Sequence, residues 1–165
     1  LERLGFERGR YDQVSPLDHV NRCQSTNDVY PTALRLAVSS ALTGLLTELG
    51  PLTEAFAAKG AEFAHVVKVG RTQLQDAVPM TLGQEFTAFG VTLAEDMARI
   101  RETLPLLHEI SLGATAIGTG ITTEPGYAEA VIRHLAAFTG LDLKPAFDLV
   151  EATSDTGVFR WCRAS

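Results

Sequence analysis

TLGQEFTAFGVTLAEDMARIRETLPLL, residues 81–107, opens with Thr81 and Gln84 in the spacing of a capping box. Glu85 falls in the first turn, where the helix dipole favours a negative charge. Leu82, Phe86, Phe89, Leu93, Met97, Ile100, Leu104 and Leu107 then recur at steps of three and four. This spacing predicts a single helix, about 40 Å long at 1.5 Å per residue. Its apolar seam is narrow and runs the whole length, so it needs partner helices from this chain or from other subunits to bury it.

Outward from this helix the pattern stays helical. Upstream, Leu34, Val38, Leu42, Leu45 and Leu49 mark one face of a helix expected to begin at Pro31, after the capping types Asn27 and Asp28. Gly50-Pro51 is expected to break or kink it before Leu52, Ala55 and Phe56 resume the pattern. Between the two helices, AHVVKVGRTQLQDAVPM (64–80) reads as a loop or a short extended ribbon. Downstream, SLGATAIGTGITTE (111–124) is a small-residue loop, and a third helix is expected from Pro125 to Phe138, stopped by Gly140. The expected fold class is all-α, a long-helix bundle with polar and Gly-rich loops. It is organised as one domain: a connection over 1–29, a helical segment over 30–159 and a tail over 160–165.

Composition narrows the function classes. Among 165 residues, 14 Lys+Arg stand against 20 Asp+Glu, giving a net charge of −6 and no basic patch, which argues against a nucleic-acid partner. No apolar run approaches a membrane span and no leader is visible, so no membrane partner is expected. Cys23 and Cys162 show no CxxC spacing, and a reduced, cytoplasmic setting is the expectation. His19, His65, His108 and His134 have neither HxxxH nor HExxH spacing, so no metal site is expected from this chain. There is no GxSxG elbow, and Gly118-Thr119-Gly120 fits neither phosphate-loop pattern.

Three loops carry more polar chemistry than helix connections need. They are Gln24-Ser25-Thr26-Asn27-Asp28, Gly70-Arg71-Thr72-Gln73-Leu74-Gln75-Asp76, and Gly113 to Thr123 with Thr115, Thr119, Thr122 and Thr123. Neutral donors beside a helix start make a cradle for a carboxylate. The plainer reading is that Ser25, Thr26 and Asn27 cap a helix and that Thr72 and Gln73 are turn residues.

Those loops also carry a family resemblance. VNRCQSTNDVYPTALRLAV (20–38), KVGRTQLQDAVPMTLGQEF (68–86) and LGATAIGTG (112–120) resemble, in the right order, three shared blocks of the aspartase/fumarase superfamily. Gln73 makes the second block look most like the ammonia-lyase branch, since fumarases more usually carry His there. The resemblance implies a homotetramer whose long helices form a central bundle, with active sites where subunits meet. It implies reversible anti elimination of ammonia from L-aspartate to give fumarate, with no cofactor beyond an activating divalent cation such as Mg in some members. By position, Ser25, Thr26, Asn27 and Thr72 match the family's substrate-binding residues, and Gln73 takes a supporting place beside them.

The residue types suit that reaction. Removing the C3 proton of aspartate creates an aci-carboxylate dianion, which a site must bind more strongly than the ground state. Gln73 is a neutral amide and cannot be a general base, but it can hold an ammonium or donate a hydrogen bond. Ammonia leaves from an amine already protonated, whereas hydration needs help with proton transfer, so Gln73 favours deamination.

Three departures from the pattern stand out. The family's HPND reads Ser15-Pro16-Leu17-Asp18 here, so its secondary anion site is not carried over. The family-like pattern stops after Phe159. No GSSxMPxKxNP sequence, the loop that in the family supplies the serine base with a Lys and an Asn, occurs among these residues. The expectation is an internal piece of a longer subunit, inactive by itself. The rival readings are a class II fumarase, and a non-catalytic helical remnant that oligomerises through the 82–107 seam.

Overall fold

The computed structural model describes residues 1–154; the tail expected at 160–165, with Cys162, lies outside them. The described chain is mostly helical: α1 (Thr26–Glu62), α2 (Leu82–Leu107), α3 (Tyr127–Thr139) and a short α4 (Leu149–Ala152). Its strands are β1 (Val67–Thr72) antiparallel to β2 (Gln75–Thr81), and β3 (Glu109–Ile110) parallel to β4 (Lys144–Pro145). The ribbon reading of 64–80 therefore holds. The β3/β4 pair went unforeseen, because two residues per strand are too few to show a period. The chain divides into two compact units, one from Val38 to Leu106 and one from Leu1–Ala37 together with the stretch from Leu107 onward.

In the first of these, α2 begins as its sequence predicts. Thr81 N–H donates to Gln84 Oε1 at 2.9 Å and Gln84 N–H to Thr81 Oγ1 at 3.1 Å, closing the capping box. Lys68 Nζ on β1 reaches Glu85 at 2.7 Å, tying the hairpin to the first turn of α2. The apolar seam of α2 is its covered face, with Met97 7% exposed and Phe89, at 48%, the most open of its ring residues. Its partner is α1: Phe56 lies 5.7 Å from Phe89 and 6.0 Å from Phe86 between ring centroids, and Phe63 lies 5.7 Å from Phe86. The helices come backbone to backbone at Gly60 and Gly83. A Cβ on Gly83 would run into the Gly60 carbonyl oxygen and the Ala64 backbone.

Four expectations that bear on α1 need correction. The helix starts at Thr26, five residues before Pro31, because Ser25 and Asp28 supply a cap of their own. It also runs unbroken through Gly50-Pro51. Pro51 has no N–H to give the Thr47 carbonyl, a cost of about 3 kcal/mol in an isolated helix. Packing of Phe56 and Phe63 on α2 offsets that loss, and Thr53 Oγ1 contacts Met97 Sδ at 3.6 Å. The covered line of α1 passes through Leu46 rather than Leu45, which is 45% exposed. By length and composition α1 is also apolar enough to cross a membrane, contrary to the reading that nothing in the chain approaches a span. A helix packed inside an assembly passes the same test.

The other unit has an apolar core of its own. Ile110, Leu112, Ile132 and Leu143 form it, with Val29, Leu36, Val131 and Leu135 packed around. α3 ends where glycine was expected to stop it: Gly140 adopts φ 73° and its N–H bonds the Ala136 carbonyl at 2.8 Å.

Candidate functional site

The first and third polar loops meet. Ser25 is the N-cap residue of α1, and its Oγ accepts the Asn27 N–H at 3.2 Å. Three residues on, Asp28 reaches back so that Oδ1 accepts the Ser25 N–H at 2.9 Å. Its other oxygen, Oδ2, accepts the N–H groups of Gly113 at 3.1 Å and Thr115 at 2.9 Å. Asn27 donates from Nδ2 to the Ala116 carbonyl at 2.7 Å, and Gln24 Nε2 lies 3.4 Å from Tyr127 Oη. Asp28 is fully buried, whereas Thr26 and Asn27 are exposed beside it. Ser25 thus caps as the plainer reading held, and Asn27 keeps Oδ1 and its second N–H without a partner among the described residues.

The third loop is held in shape by backbone geometry. Gly113 (φ 96°), Thr115 (φ 63°), Gly118 (φ 93°) and Gly120 (φ 61°) are all left-handed. A Cβ on Gly113 would meet the Ala128 Cβ at 2.7 Å, and one on Gly118 would strike the Val150 backbone, so α3 and α4 close on the loop at its glycines. Thr119 and Thr122 are exposed, and Thr123 Oγ1 donates to the Gly120 carbonyl at 2.7 Å.

Asp28 also begins a buried polar line along α1. Thr32 and Arg35 follow at helical spacing, 3% and 6% exposed, and Ser111 and Thr115 on the facing chain are 1% and 4% exposed. Burial pulls the Arg35 guanidinium down from its usual value, against the opposing pull of the Glu151 and Glu109 charges. Thr32 Oγ1 donates a hydrogen bond to the Asp28 carbonyl at 2.7 Å.

Thr72 and Gln73 belong to the other unit, at the tip of the β1/β2 hairpin, and both are exposed. Thr72 faces Gln75 in register, leaving Gln73-Leu74 as a two-residue turn with φ 48° and φ 66°. Both values are left-handed, the geometry of a type I′ turn that Asn-Gly ordinarily supplies. Arg71 Nε pairs with Asp76 Oδ1 across the strands at 3.2 Å. An open groove in the same unit, lined by Gly60, Ala64, Thr81, Gly83, Gln84 and Thr87 among others, holds none of the candidate residues.

Four non-glycine residues have positive φ among the described ones: Cys23, Gln73, Leu74 and Thr115. Each lies in or beside one of the three polar loops, so backbone strain gathers where the chemistry was placed. Sequence reasoning treated Asp28 only as a capping type. Its S-x-x-D spacing from Ser25 was legible, but its bonds to Gly113 and Thr115 carry no local signal. The described residues contain no group of three or more His, Cys, Asp or Glu side chains arranged to hold a metal ion.

Comparison with known proteins agrees with the blocks. A family described as Lyase matches residues 2–159. The chain is similar to the aspartate ammonia-lyase of Pseudomonas aeruginosa, 58% identical over 160 residues that cover 96% of this chain and 34% of that protein. It is 52% identical to the aspartate ammonia-lyase of Escherichia coli K12, over 96% of this chain and 33% of that one. Among solved structures, a fumarate lyase:delta crystallin from Brucella melitensis bound to cobalt superposes with TM-score 0.87 at 55% identity, over 96% of this chain and 35% of its own. A class II fumarase from Schistosoma mansoni superposes with TM-score 0.75 at 32% identity, over 90% of this chain and 34% of its own. The chain thus spans about a third of the length of the curated relatives it matches.

Proposed function

The chain belongs to the lyase family, and on that premise we propose that it is a segment of an aspartate ammonia-lyase, catalysing the reversible deamination of L-aspartate to fumarate and ammonia. The observation that carries this reading is the identity of 58% to an aspartate ammonia-lyase across 96% of the chain. The more distant likeness to a class II fumarase, at 32%, makes hydration of fumarate to L-malate the second reading.

The residues fit the deamination. Deprotonation at C3 loads a second negative charge onto the neighbouring carboxylate, and the donors that bind it must tighten as that charge develops. Thr26 and Asn27 stand exposed at the N-terminus of α1, where the helix dipole favours an anion. With one N–H fixed on Ala116, the Asn27 amide offers its other N–H to a carboxylate and its Oδ1 to an ammonium. Thr72 supplies a further hydroxyl and Gln73 a neutral amide. Neither abstracts the C3 proton. That step belongs to a serine on the GSSxMPxKxNP loop of the intact subunit. The proposal includes a homotetramer in a cytoplasmic setting, with a divalent cation as an activator at most.

The test is to assay the intact protein in parallel with L-aspartate and L-malate. Fumarate from L-aspartate alone is the expected result, and turnover of L-malate alone would replace this reading with the fumarase. The isolated 165-residue polypeptide, which holds no serine-base loop, is expected to fall at least about 100-fold below the intact protein. If the intact protein turns over neither substrate, the non-catalytic helical reading stands instead.

A further inference from the structure

We propose that Asp28 is a positioning residue for the substrate cradle: its carboxylate locks the loop 113–120 onto the start of α1 and so aims the Asn27 amide. The proposal rests on the reading of Ser25, Thr26 and Asn27 as the substrate-carboxylate loop. Asp28 is 0% exposed and accepts backbone N–H groups from both sides of the junction, Ser25 on one side and Gly113 and Thr115 on the other. Hydrogen bonds to an ionised acceptor are about twice as strong as neutral ones, and here they also compensate the burial of the charge.

The geometry shows why a carboxylate stands at this position. Gly113 at φ 96° and Thr115 at φ 63° turn their N–H groups, two residues apart, toward the same oxygen. The next residue, Ala116, presents its carbonyl to Asn27 Nδ2 at 2.7 Å. A continuous path therefore runs from the Asp28 carboxylate to the Thr115 N–H, along the backbone of Thr115 and Ala116, and from the Ala116 carbonyl to the Asn27 amide. An asparagine at 28 has the same shape but a single acceptor oxygen. If that oxygen kept the Ser25 N–H, the new NH2 group would face the N–H groups of Gly113 and Thr115, donor against donor. The loop would be pushed off, and the Ala116 carbonyl with it.

The experiment is Asp28→Asn in the intact protein, read by steady-state kinetics with L-aspartate and by amide hydrogen exchange. Misdirected donors fail the developing dianion more than the ground state, so kcat is expected to fall about 100-fold while KM moves only a few-fold. Protection of the Gly113 and Thr115 amides is expected to vanish in the variant. A variant that melts lower but keeps its kcat and KM would overturn the proposal, since a merely structural residue behaves that way. Should the variant not fold, exchange in the unmutated protein decides: slow exchange at Gly113 and Thr115 supports the lock, and fast exchange overturns it. Failure of the functional reading has a separate signature, absence of L-aspartate turnover in the unmutated protein with those amides still protected.

Discussion

The two units of this chain bury different things. From Val38 to Leu106, two long helices cover one another with an apolar seam, an aromatic cluster and a glycine contact. In the unit formed by Leu1–Ala37 and the stretch from Leu107 onward, a small apolar core sits alongside Asp28, Thr32, Arg35, Ser111 and Thr115, all buried and polar. The first kind of burial is non-directional. The second depends on individual hydrogen bonds, and a buried polar group without its partner costs about 1–3 kcal/mol. A site that must aim donors at a developing charge needs the second kind.

Substitutions in each unit should therefore fail differently. Asn27→Ala in the intact protein is expected to lower kcat/KM for L-aspartate by about 10²–10³ while thermal stability stays close to that of the parent. Steady-state kinetics beside a melting curve check this, and an unchanged kcat/KM would remove Asn27 from the site. Gly83→Ala should do the reverse. Its Cβ meets the Gly60 carbonyl, so stability falls by about 1–3 kcal/mol in a denaturant titration, with turnover per folded site retained. Thr81→Ala deletes half of the capping box and is expected to cost about 1 kcal/mol by the same titration. The smallest effect is expected at the hairpin tip. Leu74→Gly relieves a left-handed leucine at φ 66° and should raise stability by up to about 1 kcal/mol, net of the added chain entropy.

Legibility in the sequence follows the same division. The capping box at Thr81 and Gln84, the seam from Leu82 to Leu107 and the glycine stop at Gly140 are local or periodic, and each appears where the residues place it. Where a local rule met a tertiary contact, the contact prevailed. α1 continues through Gly50-Pro51 because its far half packs on α2, whereas its start before Pro31 follows from a second local signal, the cap that Ser25 and Asp28 form. In the candidate site, the residue types at 25–27 and 72–73 were legible as loops rich in neutral donors. Their arrangement was not. Asp28 meets Gly113 and Thr115 across more than eighty residues of chain, a distance over which no spacing rule operates. Likewise, Gln73-Leu74 is a poor type I′ sequence, so its left-handed turn follows from the Thr72–Gln75 register rather than from turn propensity.

The central claim is that the exposed donors at the start of α1, backed by the third loop, hold a substrate carboxylate. The most direct measurement is a crystal structure of the intact protein with fumarate bound. The account predicts one fumarate carboxylate within hydrogen-bonding distance of the Thr26 hydroxyl and the Asn27 amide, with the Ala116 carbonyl still accepting from Asn27 and Asp28 still holding Gly113 and Thr115. Fumarate seated elsewhere, with Thr26 and Asn27 facing only solvent, would contradict it.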